Sequence, residues 1–363
     1  MSPGINLFYG MNGQGKTNIL EAIEILSTTR SGRAFRENEL IRHGCDEAWV
    51  GGKFEKKSLD FDIEICYRND RRKACRKNDK PVSADSVFGM VNIVKFFPDD
   101  VEIIRGSPQV RRKYADMEIS ITDGVFYSAY KDYVRIIENR NRFLKKLFEL
   151  REGTAEYSGT MNALESYDSL IPGIAYSVAK GRAAFLKQIS RYATPLHREF
   201  SGGGEEIGVK YMFSDFENGL EFENITEDEY KNRLTFLLKK NLKSDIIKGH
   251  TGAGPHRDDI EFLINGSSAR SFGSTGQIRT LAISLKMAQI EYVFDKTSDH
   301  PVLLIDDLTS EFDTQRLFKI VSSISNRIQV LITCTNQKLF LDSWSPAEMA
   351  QFEVDSGNVE KKK

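Results

Sequence analysis

Gly10-Met11-Asn12-Gly13-Gln14-Gly15-Lys16-Thr17 fits the spacing G-x-x-x-x-G-K-[ST] in full. Glycines at positions 10, 13 and 15 let backbone N–H groups converge on phosphate oxygens, an approach that a Cβ would obstruct. Lys16 would reach the β- and γ-phosphates, and the Thr17 hydroxyl would ligate Mg²⁺. The plainer alternative is a glycine-rich turn that only caps a helix. Val302-Leu303-Leu304-Ile305-Asp306-Asp307 is the natural partner. A buried parallel strand ending in a carboxylate can set Asp306 beside the phosphate loop to hold Mg²⁺, and Asp307 could orient or deprotonate the attacking water. Alone, the same stretch reads as a core strand with two solvated aspartates. Ser274-Thr275-Gly276-Gln277 opens another helical run and makes a second anion-binding helix end. One chain has its own loop for the nucleotide, so this second end makes sense facing the nucleotide of another subunit. Ordinary serine N-capping is the alternative.

These groups need elements to position them. Ile5–Tyr9 is short and apolar, and Ile19, Leu20, Ile23 and Leu26 recur at helical spacing, so the chain opens strand, glycine turn, helix. Within Ala48–Lys77, Leu59, Phe61, Ile63, Ile65 and Tyr67 alternate with Asp60, Asp62, Glu64, Cys66 and Arg68, which predicts a strand of an antiparallel sheet. Val91–Phe96 reads as a further strand. From Pro98 the pattern turns helical: Asp99–Arg105, Gln109–Ile119, Val125–Leu150, and Asn162–Phe200 with interruptions at Pro172 and Pro195. Gly153–Gly159 and Gly202–Gly204 read as breaks, Gly208–Phe213 as a strand, and Thr226–Lys243 as a helix with Thr226 as N-cap. Strands at Ile260–Ile264, Val302–Ile305 and Ile328–Thr333 alternate with helices near Gly276–Phe294 and Gln315–Ser325, and Lys361–Lys363 reads as a basic tail. An α/β module thus stands at both ends, with a mostly helical block between them.

Composition narrows the classes. With 51 Lys+Arg and 52 Asp+Glu the net charge is −1, which excludes a globally basic nucleic-acid binder and leaves local patches or a surface assembled by dimerisation. At 40% hydrophobic and 28% charged residues, the chain has material for a core. No apolar run approaches the roughly 18 residues of a membrane span, and the start lacks the pattern of a secretory signal. Cys45, Cys66, Cys75 and Cys334 are scattered, which disfavours a zinc ribbon or disulfide scaffold and fits a reducing cytoplasm.

The three motifs, in this order and with this long gap, form the pattern of ABC-type ATPases, and the variant resembles the RecF family of bacterial recombination mediators. The resemblance rests on Gly15–Ile23 with Asn12, on Phe97-Pro98-Asp99-Asp100 with Arg111-Arg112-Lys113, and on Gly254-Pro255-His256-Arg257-Asp258-Asp259. Ser274–Thr280 and Leu304–Asp313 complete it, and together these stretches cover nearly the whole chain. It implies an α/β fold. An ABC-ATPase head (1–104 and 246–363), with a P-loop core and an antiparallel β-subdomain, would carry an inserted, mostly α-helical lobe (105–245). It adds Asn12 and Asn18 to the nucleotide-binding set of Gly10, Gly13, Gly15, Lys16 and Thr17. It places Ser274, with Gly276 and Gln277, on the γ-phosphate bound by the opposite subunit, and Ser310 and Asp313 in the loop crossing the dimer interface. It implies ATP and Mg²⁺ as cofactors, an ATP-dependent head-to-tail homodimer on DNA, slow DNA-stimulated hydrolysis, and action with RecR and RecO to place RecA at gaps in DNA repair and replication.

Three departures from the family pattern stand out. The phosphate loop starts ten residues in, so the family's N-terminal strands and basic Phe-Arg motif are expected to be missing, leaving an unpaired sheet edge. Asp307 stands where transporter-type ATPases carry Glu. Thr333 and Thr335 follow the last expected strand where many ABC ATPases place a switch histidine, and no glutamine Q-loop is evident.

Candidate phosphate contacts for DNA are Arg71, Arg72, Lys73 and Arg76 around a hairpin, Arg111 and Arg112 in a second group, and Arg135, Arg140, Arg142, Lys145 and Lys146 along the long helix. Each group also reads as a solvated face. His256 could assist at the nucleotide or brace its loop. Two other functions stay open: an ATPase subunit of another SMC-like or transport machine, and a non-hydrolysing ATP-binding interaction module.

Overall fold

Ile5–Tyr9 forms β1, whose first four residues are buried on both faces, as a central parallel strand requires. The computed structural model describes residues 1–34, 36–69, 73–214, 222–306, 321–322, 324–337, 340 and 349–362. The chain divides into two compact units, Met1–Asp100 with Ile283–Lys363, and Val101–Ala282.

In the first unit β1 joins β6 (Ile93–Phe96), β10 (Val302–Ile305), β11 (Val330–Cys334), β12 (Met349–Asp355) and β13 (Asn358–Lys362). Among the described residues the sheet order is β13-β12-β1-β11-β10-β6, parallel except for the β12–β13 hairpin. β1 is paired on both sides, with Ile5 opposite Val330 and Met349. The hairpin over Met349–Lys362 carries no strand signal in the sequence pattern, and Lys361 and Lys362 are the end of β13 rather than a tail. Its turn, Ser356-Gly357, has φ of 50° and 83°, the two left-handed residues of a tight hairpin. Helix α1 (Lys16–Thr28) follows the glycine loop.

A second sheet, β2 (Glu47–Lys56), β3 (Leu59–Arg68), β4 (Ala74–Lys77) and β5 (Lys80–Val82), is antiparallel in that order. Ile63, Ile65 and Tyr67 of β3 are buried, as the alternation predicts, in one cluster with Phe8, Leu20, Leu26, Leu304 and Leu331. That cluster welds the antiparallel sheet to α1 and the parallel sheet, and so fixes where α1 begins relative to β10. A short helix, α2 (Ala84–Val87), leads from β5 to β6.

The second unit contains α3 (Glu102–Arg105), α4 (Pro108–Thr122), α5 (Gly124–Glu149), α6 (Ala155–Phe200), α7 (Glu227–Lys248) and α8 (Ala269–Phe272). β7 (Ile207–Met212), β8 (Asp259–Ile264) and β9 (Ser267–Ser268) form its antiparallel sheet. Thr154 caps α6 by accepting from Tyr157 N, so the helix starts inside the expected polar break. It then runs 46 residues straight through Pro172 and Pro195. Each proline forfeits one backbone donor, but burial of Ile171, Ala175, Val178 and Ile189 holds the helix together. Thr226 caps α7 in a reciprocal capping box with Glu229, and Gly249 ends it at φ 66°.

The unit boundary at 282/283 falls inside α9 (Thr275–Thr297) instead of near 246. Pairing of β8 with β7 holds residues 246–282 to the helical unit. The helix expected over Gln315–Ser325 lies for the most part outside the described residues.

Candidate nucleotide-binding site

The loop between β1 and α1 is shaped by close packing. A Cβ on Gly10 would stand 2.2 Å from the carbonyl oxygen of Val354 in β12, so only glycine lets the chain leave the strand there. Gly15 sits at the N-cap of α1 with φ 98°, and no side chain caps the helix. Asn18 N donates to Gly15 O at 3.1 Å, and among the described residues the N–H donors of Lys16 and Thr17 are left for an anion, with the helix dipole behind them. Lys16 is buried and its Nζ donates to Gly10 O at 2.7 Å and Met11 O at 2.8 Å, which holds the ammonium across the loop. Asn12, Gly13 and Asn18 are exposed around it.

Thr17 Oγ1 donates to Asp306 Oδ1 at 3.0 Å, although β1 and β10 are separated by β11. Thr333, on that intervening strand, donates to the same oxygen at 2.6 Å. Thr333 thus lies inside β11, which is not the last strand. Adjacent corners of an octahedron with bonds of about 2.0–2.1 Å are about 2.9 Å apart. A hydroxyl and a carboxylate at 3.0 Å therefore fit two neighbouring Mg²⁺ ligands.

A contact missed in the sequence completes the loop. Gln14 O accepts from Gly357 N at 3.0 Å, and Gln14 Oε1 accepts from Ser356 N at 2.5 Å, so the β12–β13 turn grips the phosphate loop. The Ser-Gly pair flanked by Asp355 and Asn358 was the available signal for that turn.

A family model described as the RecF/RecN/SMC N terminal domain matches residues 1–355. The DNA replication and repair protein RecF of Enterococcus faecalis is 33% identical over 357 residues, covering 98% of this chain and 92% of that protein. The chain belongs to the RecF family. The RecF of Geobacillus sp. (strain WCH70) is 35% identical over 356 residues, again covering 98% of this chain and 92% of that protein. A solved structure described as the recombination mediator protein RecF-ATP in the RecFOR pathway superposes with a TM-score of 0.88 at 32% identity, covering 100% of this chain and 92% of that one. An Smc head domain from Pyrococcus furiosus, at 16% identity and a TM-score of 0.54 over 100% of this chain and 90% of that one, shares the fold. The architecture is that of an ABC-type ATPase head.

Against this RecF-family background the other predicted residues divide. Ser274 and Gln277 close the N-terminus of α9 reciprocally: Gln277 N donates to Ser274 Oγ at 3.2 Å and Ser274 N donates to Gln277 Oε1 at 2.8 Å. This is the capping arrangement of an ordinary serine N-cap, yet among the described residues no acceptor takes the serine O–H proton, and Ser274, Thr275 and Gly276 are exposed. Asp307, Ser310, Asp313, Arg71 and Arg72 lie outside the described residues.

Several cations offered for DNA are committed elsewhere. Arg111 is 2% exposed, its Nε and Nη2 each 2.8 Å from the Asp259 carboxylate and its Nη1 donating to Gly106 O. Arg112 donates to Asp258 O at 2.5 Å. Arg140 is fully buried between Asp168 and Asp245. Lys73 donates to Thr29 O and to Glu37. Arg111 and Arg140 are therefore corrected from DNA contacts to internal struts, because a buried charge needs a partner that water or phosphate cannot be there to supply. Arg112 and Lys73 are only partly buried, so these contacts tether them without removing them from the surface. Arg76 remains exposed.

The Gly254–Asp259 stretch is a structural knot in the helical unit. His256 Nε2 faces Thr251 O at 3.0 Å, so Nε2 carries the proton and donates, and Nδ1 accepts from Tyr133 Oη at 2.6 Å. Burial, with Arg257, Arg112 and Arg182 nearby, lowers its pKa to about 4. The ring is neutral and both nitrogens are used, so His256 braces the loop and is not placed as an acid or base. Asp258 accepts from Tyr211 Oη, Ser214 N and Ser214 Oγ. Arg182 bridges Asp116 and Pro255 O.

Proposed function

We propose that this chain binds ATP with Mg²⁺, dimerises head to tail on DNA in the ATP state, and hydrolyses the nucleotide slowly to release the assembly, in recombinational repair and replication. The observation that carries this reading is the 3.0 Å contact between Thr17 and Asp306 at the mouth of an uncapped helix with Lys16 across the loop. The names of the relatives and of the RecF-ATP structure support it.

The uncapped N–H groups of α1 bind the phosphates, and Lys16 leaves its loop carbonyls to neutralise charge on them. Mg²⁺, when bound, draws phosphate charge and fixes the γ-phosphate's orientation. Thr17 and Asp306 hold that ion, and Thr333 holds Asp306. Asp307 orients or deprotonates the attacking water. Ser274 of a second copy donates its free O–H to the γ-phosphate, so only the triphosphate joins two copies. Hydrolysis is weak and DNA-stimulated in this scheme and acts as a timer. DNA is met through its backbone, with Arg76 among the contacts, and RecR and RecO are the pathway partners, a reading supported by the RecFOR pathway in the description of the matched RecF-ATP structure. Among the described residues no helix is long and apolar enough to cross a membrane, consistent with work on chromosomal DNA in the cytoplasm.

The test is single-turnover hydrolysis and sedimentation with ATP and Mg²⁺. Lys16→Ala should lose nucleotide affinity by about 2–5 kcal/mol, the cost of deleting one side of a desolvated charge contact. Asp307→Asn should keep binding and dimerisation but lose turnover. Parent-like hydrolysis by both variants overturns the assignment.

A further inference from the structure

Ser274 is held in place from a distance. Its backbone N–H and hydroxyl are both tied to Gln277, and the other end of that amide, Nε2, donates to Glu205 Oε1 at 2.9 Å. Glu205 Oε2 in turn lies 2.9 Å from Nε2 of His197, which is fully buried near the end of α6. Glu205 stands in the loop after Gly202-Gly203-Gly204, and that loop is itself pinned: Glu206 N donates to Asn265 Oδ1 at 2.8 Å, and Asn265 N donates to Glu206 O at 2.7 Å. A rigid helix end thus reaches the exposed serine through one carboxylate and one amide.

The amide has two ends and one rotatable plane. With Nε2 fixed on a carboxylate, Oε1 must point to Ser274 N, and the capping serine is then set with its hydroxyl accepting from Gln277 N and its proton directed outward. Without the carboxylate the Gln277 amide can turn over or leave, and the helix end loses half of its reciprocal cap. Nothing in the sequence spacing links position 205 to position 277. The link exists because β7, which follows Glu205, pairs with β8, whose chain returns through α8 to Ser274.

We infer that Glu205 is a positioning residue for the Ser274 tip, acting through Gln277 and braced by His197, and that it sets how well the tip engages a nucleotide held by a second copy. This inference rests on the proposed trans role of Ser274. It predicts a defect in joining copies, with the chain's own nucleotide binding intact.

The experiment uses the full chain and its Glu205→Ala, Glu205→Gln, Gln277→Ala, Glu205→Ala/Gln277→Ala and Ser274→Ala variants. Sedimentation with ATP and Mg²⁺ reads the dimer, titration with ADP reads the single-chain site, and thermal unfolding without nucleotide reads the fold. Glu205→Ala should weaken the ATP dimer about tenfold or more, as expected for a lost charge-assisted hydrogen bond, with ADP affinity unchanged. Glu205→Gln should restore part of it, because an amide oxygen still accepts from Gln277 while the charge is lost and the NH2 end faces His197. Adding Glu205→Ala to Gln277→Ala should cost nothing more, whereas a general structural role would cost the same in both backgrounds. Should Glu205→Ala not fold, Glu205→Asp, one methylene shorter, takes its place in every comparison. If Ser274→Ala abolishes the dimer while Glu205→Ala dimerises like the parent, the positioning role is wrong and the trans role stands. If the parent does not dimerise with ATP, or Ser274→Ala dimerises like it, the underlying reading fails and takes this inference with it.

Discussion

Thr333 donates a 2.6 Å hydrogen bond to the same Asp306 oxygen that accepts from Thr17. The carboxylate that would hold Mg²⁺ is thus oriented from the strand lying between its own strand and the one that leads into the phosphate loop. Thr333 is 1% exposed, so its hydroxyl has little access to solvent as a competing partner.

Replacing Thr333 by Val keeps the shape and removes that donor. Turnover should fall about tenfold for a lost hydrogen bond of about 1.4 kcal/mol, with ATP affinity changed much less. Thr333→Ser should stay close to the parent. Single-turnover hydrolysis beside nucleotide titration reads both, and equal loss of affinity and rate would show that Thr333 supports the fold of the site more than the angle of Asp306.

Gln14→Ala removes the side-chain half of the grip that the β12–β13 turn exerts on the phosphate loop. The backbone half, Gly357 N to Gln14 O, remains. Nucleotide release should speed by about two- to tenfold, the range of one net hydrogen bond, with the melting temperature little changed. Stopped-flow release of a fluorescent ATP analogue checks this.

His256 gives a pH dependence of known sign. Its pKa is about 4 in the folded chain, because it is buried, against 6.5 for a histidine free in water. Between those values the unfolded chain binds a proton that the folded chain does not, so stability is complete above pH 6.5 and falls as the pH drops towards 4. The full loss is about 3–4 kcal/mol at 1.4 kcal/mol per unit. His256→Gln can still accept from Tyr133 and donate to Thr251 O, and it should flatten this part of the curve. Buried Asp258, whose pKa is raised by burial, works in the opposite sense and is common to both proteins. Urea unfolding at about pH 7 and pH 5 measures the difference, and parallel curves for the two proteins would contradict the assignment.

Arg111 and Arg76 should separate stability from DNA binding. Arg111→Met leaves Asp259 without its bidentate partner and should cost about 2–3 kcal/mol of stability, less than a fully dry pair because Asp259 is partly solvated. It should leave the salt dependence of DNA binding unchanged. Arg76→Ala should do the reverse, lowering the slope of log K against log salt by about 0.9 if it meets one duplex phosphate. Binding titrations at several salt concentrations, beside unfolding curves, decide between them.

Much of the site was legible in the sequence because its chemistry is local. A strand, a glycine turn and a helix lie within Ile5–Thr28, and the spacing alone prescribes where Lys16 and Thr17 stand. The apolar run ending at Asp306 likewise announces a buried parallel strand, and the alternation in β3 announces its inward face. Partnership between distant residues was not legible. Arg111 and Arg76 are the same side chain in similar basic company, and only folding decides that one faces Asp259 and the other water. Thr333 reads as the end of a last strand with no sign that it meets Asp306, and Glu205 carries no mark that it meets Gln277. The physical reason is range: backbone geometry and periodicity act over a few residues, while the partner of a buried charge or amide is whichever group the packing brings within about 3 Å.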